Sequence, residues 1–118
     1  MVLALLLLTA AGGCSTRPGG YQLAKTGCAA VSRLAAAGGR PPASVRTRAA
    51  AEESARRDLV AAARANATYR PLRQMMEAIN ARFQGDAQRG RAPSQDASLY
   101  SQLLYLQQGV GGCPAYGF

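Results

Sequence analysis

A chain of 118 residues has room for one domain and one modest core. Ala, Gly and Arg dominate while there are only two Phe, five Tyr and no Trp, so any core must come from Ala and Leu and buries little area per residue. The net charge is +8, with thirteen Arg and a single Lys, Lys25, among the fourteen basic residues. There is no His, which removes the commonest acid–base group and metal ligand, and no Gly-x-Ser-x-Gly, phosphate-loop or dinucleotide motif occurs. The composition therefore argues against an enzyme, and neither a cofactor nor a metal is expected.

The chain opens with an uncharged stretch. Val2 to Leu8 is an unbroken apolar run, Thr9 to Gly13 continues it with small residues, and Cys14 ends it. This is short of the roughly 20 apolar residues that a membrane span needs. It matches the apolar core of a secretory signal followed by a small-residue cleavage site. The end of the run, Ala11-Gly12-Gly13-Cys14, resembles the lipobox of bacterial lipoproteins, with Ala11 where the family usually carries Leu. Small residues suit a peptidase that must approach the backbone closely. The resemblance covers the N-terminal end alone. It implies a diacylglycerol thioether on Cys14, cleavage just before it, an acylated (palmitate-type) new N-terminus, and a location on the extracytoplasmic face of a bacterial cell membrane. Residues 1–13 are then the signal peptide, 14–20 the lipidated cysteine and a tether, and 21–118 a helical domain.

Three cysteines are present, Cys14, Cys28 and Cys113. An odd count in an exported protein leaves one thiol to explain. Lipidation of Cys14 removes it from the count, and Cys28 and Cys113 are left to pair in a compartment where a disulfide persists. Closing so long a loop stabilises a fold by roughly 4–5 kcal/mol in the chain-entropy model. Without His or a Cys-x-x-Cys pair, a metal site at these cysteines is disfavoured.

Ser15 to Gly20 reads as a short tether that keeps the domain near the bilayer. A first helix is expected from about Tyr21 to Ala37. There Cys28, Val31 and Leu34 recur at spacing three with Ala24 and Ala35 beside them, which turns Cys28 to the core. Gly38-Gly39 and Pro41-Pro42 end it. A second helix is expected from a Ser44 N-cap to about Asn66, on propensity more than on pattern. Val45, Leu59, Val60 and Ala63 offer a thin apolar stripe. Glu52–Arg56 and Glu53–Arg57 are spaced as i,i+4 pairs, and Glu52, Glu53 and Asp58 read as a solvated face. Asn66-Ala67-Thr68 matches a glycosylation sequon but reads as a helix end. Pro71 suits the first turn of a third helix. Leu72, Met75, Met76, Ile79 and Phe83 form its stripe, and Gly85 is expected to end it. After a polar loop, Ser94 or Asp96 caps a last helix to about Gln108. Leu99, Tyr100, Leu103, Leu104 and Leu106 cover more than one of its faces, which suggests a central helix. Gly109, Gly111 and Gly112 then let Cys113 return to Cys28, with Tyr116 and Phe118 packing the tail.

The expected fold is all-α, a three- to four-helix bundle stapled by one disulfide. In general form it is similar to small Ala-rich helical bacterial lipoproteins of uncharacterised function, a likeness that carries over no functional residues. The expected function is that of a non-enzymatic, lipid-anchored envelope protein that binds a partner or plays a structural role. Its partners would be the membrane through the anchor, and an envelope protein, an anionic polymer or anionic headgroups. Arg56, Arg57 and Arg64 are the candidate anion-binding residues. The alternative is a small apolar-ligand module with a groove between Met75, Met76, Ile79, Phe83 and the Leu99–Leu106 helix, although such a stripe is more often core. A basic nucleic-acid-binding helical protein is a remote third reading, disfavoured by the export signal.

Overall fold

The start of the first helix is set by a glycine. Gly20 adopts φ +83°, a left-handed conformation open to Gly at little cost, and its carbonyl accepts the first helical hydrogen bond from the Ala24 amide at 2.9 Å. From there the computed structural model, which describes residues 19–36, 45–91 and 96–118, forms four α-helices. They are α1 (Tyr21–Ala36), α2 (Val45–Ala65), α3 (Arg70–Gln88) and α4 (Ala97–Gln108), with short 3-10 turns at Ala67–Tyr69 and Cys113–Tyr116. No strand occurs among the described residues. Each helix packs on the next, and α4 returns to pack on α1, which closes a four-helix ring. The expectation of an all-α bundle is met with four helices. Cys14, the rest of the leader and tether before Gly19, Ala37 to Ser44 with its Gly and Pro stops and its N-cap, and Ser94 lie outside the described residues.

The core is narrow and Leu-rich. Ala24, Cys28, Val31, Leu34 and Ala35 of α1 are all buried, as their spacing predicts. Gly27 lets Leu59 of α2 pack close, because a Cβ there would lie 2.7 Å from Leu59 Cδ2. The stripe of α2 differs from expectation. Arg48, Glu52, Ala55, Leu59 and Ala62 face inward, while Val60 and Ala63 are only half-buried and the side chain of Val45 is outside the described set. The true stripe runs i, i+4, i+7, i+11, i+14, a clean helical face that was hidden because two of its members are charged. Leu72, Met76, Ile79 and Phe83 of α3 complete the core with Leu99, Leu103 and Leu106 of α4. Tyr100 and Tyr105 point outward, so α4 is one wall of the ring and not a central helix.

The third helix passes through Gly85, contrary to expectation, and ends at Gln88, three residues later. A glycine in a helix interior costs about 1 kcal/mol but does not terminate it. Termination needs a left-handed residue, which Gly90 supplies at φ +68°. The Gly90 amide donates to the Ala87 carbonyl at 3.2 Å and the Arg91 amide to the Asp86 carbonyl at 2.8 Å, the pair of bonds of a Schellman motif. Asn66 proves to be a turn residue, its Oδ1 accepting from the Thr68 amide at 3.0 Å and the Thr68 hydroxyl at 2.7 Å.

Candidate functional site

The antiparallel ring has two chemically distinct ends, and the candidate residues distribute between them. One end gathers the start of α1, the end of α2, the start of α3 and the end of α4. Here Cys28 is bonded to Cys113, with Cα atoms 6.0 Å apart across 85 positions of sequence. Gly112 makes the return possible: a Cβ there would collide with the carbonyl oxygens of Tyr105 and Leu106. The tail is then clamped by rings. Tyr21 and Phe118 lie 5.3 Å apart and Tyr69 and Tyr116 5.4 Å, both tilted pairs. The Tyr116 hydroxyl donates to the Thr68 carbonyl at 2.8 Å, and burial holds that phenol's pKa above its usual value. A cleft of about 300 Å³ opens beside the disulfide, lined by Tyr21, Lys25, Ser32, Gln107 and Phe118.

The opposite end carries interior charge. Glu52 is fully buried, 3.7 Å from Arg48 Nε, and neither its oxygens nor that nitrogen has a hydrogen-bond partner. Burial pushes the Glu52 carboxyl up to about 7, opposed in part by the Arg48 charge. At the α3–α4 corner Asp86 and Asp96 are also buried and share a hydrogen bond. Asp96 further accepts from Arg82 Nε at 2.6 Å and from the Leu99 amide at 3.1 Å, so it is both an ion-pair partner and the N-cap of α4. Those donors hold Asp96 well below the usual carboxylate range. The shared hydrogen bond with Asp96, burial and the Asp96 charge in turn raise Asp86 above its usual value. Arg48 and the three carboxylates are buried, whereas Arg82 reaches Asp96 from the surface.

The expected anion-binding residues are not brought together. Arg56 is committed to Glu53, with contacts of 2.9 and 2.6 Å, and Arg57 and Arg64 are exposed two helical turns apart. Glu53 is held below its usual pKa by Arg56. Among the described residues the ion pairs of α2 are Arg48–Glu52 and Glu53–Arg56, in place of the expected Glu52–Arg56 and Glu53–Arg57. Glu52 does not belong to a solvated face; Glu53 and Asp58 are partly exposed.

Of the four groove residues, Met76, Ile79 and Phe83 are core. Met75 is half-buried, and with Ala78, Ile79, Ser101, Gln102 and Tyr105 it lines an open cleft of about 250 Å³ between α3 and α4. The sequence reading missed the buried Arg48, Glu52, Asp86 and Asp96. A signal did exist for the first two, since they fall on the helical repeat of Ala55, Leu59 and Ala62. Against known proteins the chain stands apart: no family model matches it, nor does any curated protein or solved structure.

Proposed function

We propose that this chain is a lipid-anchored bacterial envelope protein, held at the extracytoplasmic face by acylation of Cys14, that acts without catalysis by binding a partner or supporting envelope structure. The observation that carries this reading is the Cys28–Cys113 disulfide. Such a bond persists outside the reducing cytoplasm. It leaves one cysteine over, and that cysteine stands at the end of an apolar run in Ala11-Gly12-Gly13-Cys14. Export, the odd cysteine and the disulfide then have a common explanation. No helix among the described residues is long and apolar enough to cross a membrane, so a covalent lipid would supply the attachment.

The test is an intact mass of the membrane-extracted protein, without and with reductant. The expected species starts at Cys14, is heavier by a diacylglycerol and an amide-linked acyl group, and gains two hydrogens on reduction. An unmodified chain with three free thiols would contradict it.

A second reading has one observation in its favour, the α3–α4 cleft bounded by Met75 and Tyr105. At about 250 Å³ it lies just below the size range of small-molecule sites. Native mass spectrometry of the protein from lipid-rich extract tests it. A bound acyl species that is lost in Met75→Glu would favour a ligand carrier, and a bare protein would remove that reading.

A further inference from the structure

Charge is divided along the bundle. All six acidic residues (Glu52, Glu53, Asp58, Glu77, Asp86 and Asp96) lie in the middle or at the far end. The end that carries Gly19 and Gly20 has none in residues 19–26, 61–73 or 105–118, yet it holds Lys25, Arg64, Arg70 and Arg73. Lys25, Arg64 and Arg70 are exposed and make no ion pair among the described residues.

Among the described residues, three of the four exposed large apolar side chains lie toward the same end: Leu23 at 38%, Tyr105 at 54% and Val110 at 93%. Val110 is the tip of a turn. Gly109 and Gly112 press against the carbonyls of Tyr105 and Leu106, so closely that a Cβ at either position would clash, and the valine between them projects into solvent. A lone exposed valine needs no explanation. A valine at the apex of a tight turn, toward the same end of the bundle as three unpaired cations and the entry of the tether, has the composition of an interfacial contact. Chain length adds a constraint. The five steps from Cys14 to Gly19 span at most about 18 Å even when fully extended, so an anchor at Cys14 holds this end within reach of the bilayer.

We propose that the tether end of the bundle rests directly on an anionic lipid surface, with Val110 and Leu23 entering the interface and Lys25, Arg64 and Arg70 against the headgroups. This rests on the lipid-anchor reading, because the short tether is what brings that end to the membrane. The docked bundle then stands upright, with the Asp86–Asp96 corner directed away from the bilayer.

The experiment is amide hydrogen exchange on the membrane-extracted protein in detergent, in phosphatidylcholine vesicles and in vesicles containing phosphatidylglycerol. Exchange at Val110 and Gly111 is expected to slow severalfold in the anionic vesicles. The slowing is expected to be largely lost in Arg64→Gln/Arg70→Gln, because each cation near an anionic surface strengthens the contact about fivefold, and to vanish in Val110→Asp. Both variants alter exposed side chains, and an unchanged circular dichroism spectrum verifies that they fold. Equal exchange in anionic vesicles and detergent would overturn the proposal, as would slowing at Phe83–Gln88 alone, or slowing caused by added duplex DNA in place of vesicles. The intact mass separates the two readings. If Cys14 is unacylated, the anchor fails by itself, and slowing at Val110 when vesicles are added from outside still supports the surface, whereas no slowing overturns it.

Discussion

At the tether end of the bundle Cys28 is bonded to Cys113, two tilted ring pairs hold the tail, and the Tyr116 hydroxyl donates to a backbone carbonyl. At the other end Arg48 faces Glu52 across 3.7 Å with no hydrogen bond, and one oxygen of the buried Asp86 has no partner. The first set is a covalent bond, ring contacts and one phenol hydrogen bond, none of which depends on a carboxyl proton. The second depends on which carboxyls hold protons. A small core poor in aromatic residues is thus made stable at one end by a bond that constrains the unfolded chain, and is left ionic and titratable at the other.

The comparison can be broken most forcefully at the disulfide. Cys28→Ser/Cys113→Ser opens a loop spanning 85 positions and is expected to lower the unfolding free energy by roughly 4–5 kcal/mol in urea titration. A loss under 1 kcal/mol would mean that the tether end stands without its covalent tie.

The ionic end answers to pH. Glu52 is raised to about 7 in the folded state, so the folded protein holds its proton more tightly than the unfolded chain does. Its contribution is fully present below the unfolded value near 4.5 and is lost as pH rises through about 7. On that shift, stability falls by on the order of 3 kcal/mol between pH 5 and pH 8. Glu52→Gln is expected to flatten the Tm profile over this window, and an unchanged slope in that variant would assign the effect elsewhere. Asp96 acts with the opposite sign. Its folded pKa is depressed, so its contribution is present above its unfolded value and is lost as pH falls toward the depressed one. The ionic end is therefore most stable in mildly acid solution.

Smaller effects sharpen the contrast. Asp96→Ala removes the α4 N-cap and the Arg82 contact together and is expected to cost about 1–2 kcal/mol, read from denaturant midpoints. Val110→Asp is expected to leave stability within about 0.5 kcal/mol, because the side chain is 93% exposed, although it is the change with the largest effect on vesicle contact.

Apolar periodicity carried most of the fold. The helices α1, α3 and α4 were legible from Val31, Leu34, Leu72, Ile79, Phe83, Leu99 and Leu103, whose spacing and burial agree. The inward face of α2 was not, because hydrophobic pattern alone cannot place Arg48 and Glu52, and an Ala-rich helix offers several candidate stripes. The stop of α3 was misplaced because Gly85 and Gly90 look alike in sequence, and only backbone conformation separates a tolerated glycine from a terminating one. The Asp86–Asp96 contact joins residues across a loop and leaves no local signal. Likewise Val110 is an ordinary residue until its turn and its exposure are known.

The division between the two ends is tested most directly by residue-resolved opening free energies from amide exchange in the oxidised protein, at pH 5.5 and pH 8. Amides at Ala49–Ala55 and Ile79–Phe83 are expected to lose protection at the higher pH, as Glu52 ionises in the interior, while those at Ala24–Val31 hold theirs. Equal loss at both ends, or loss first beside Cys28, would contradict the account.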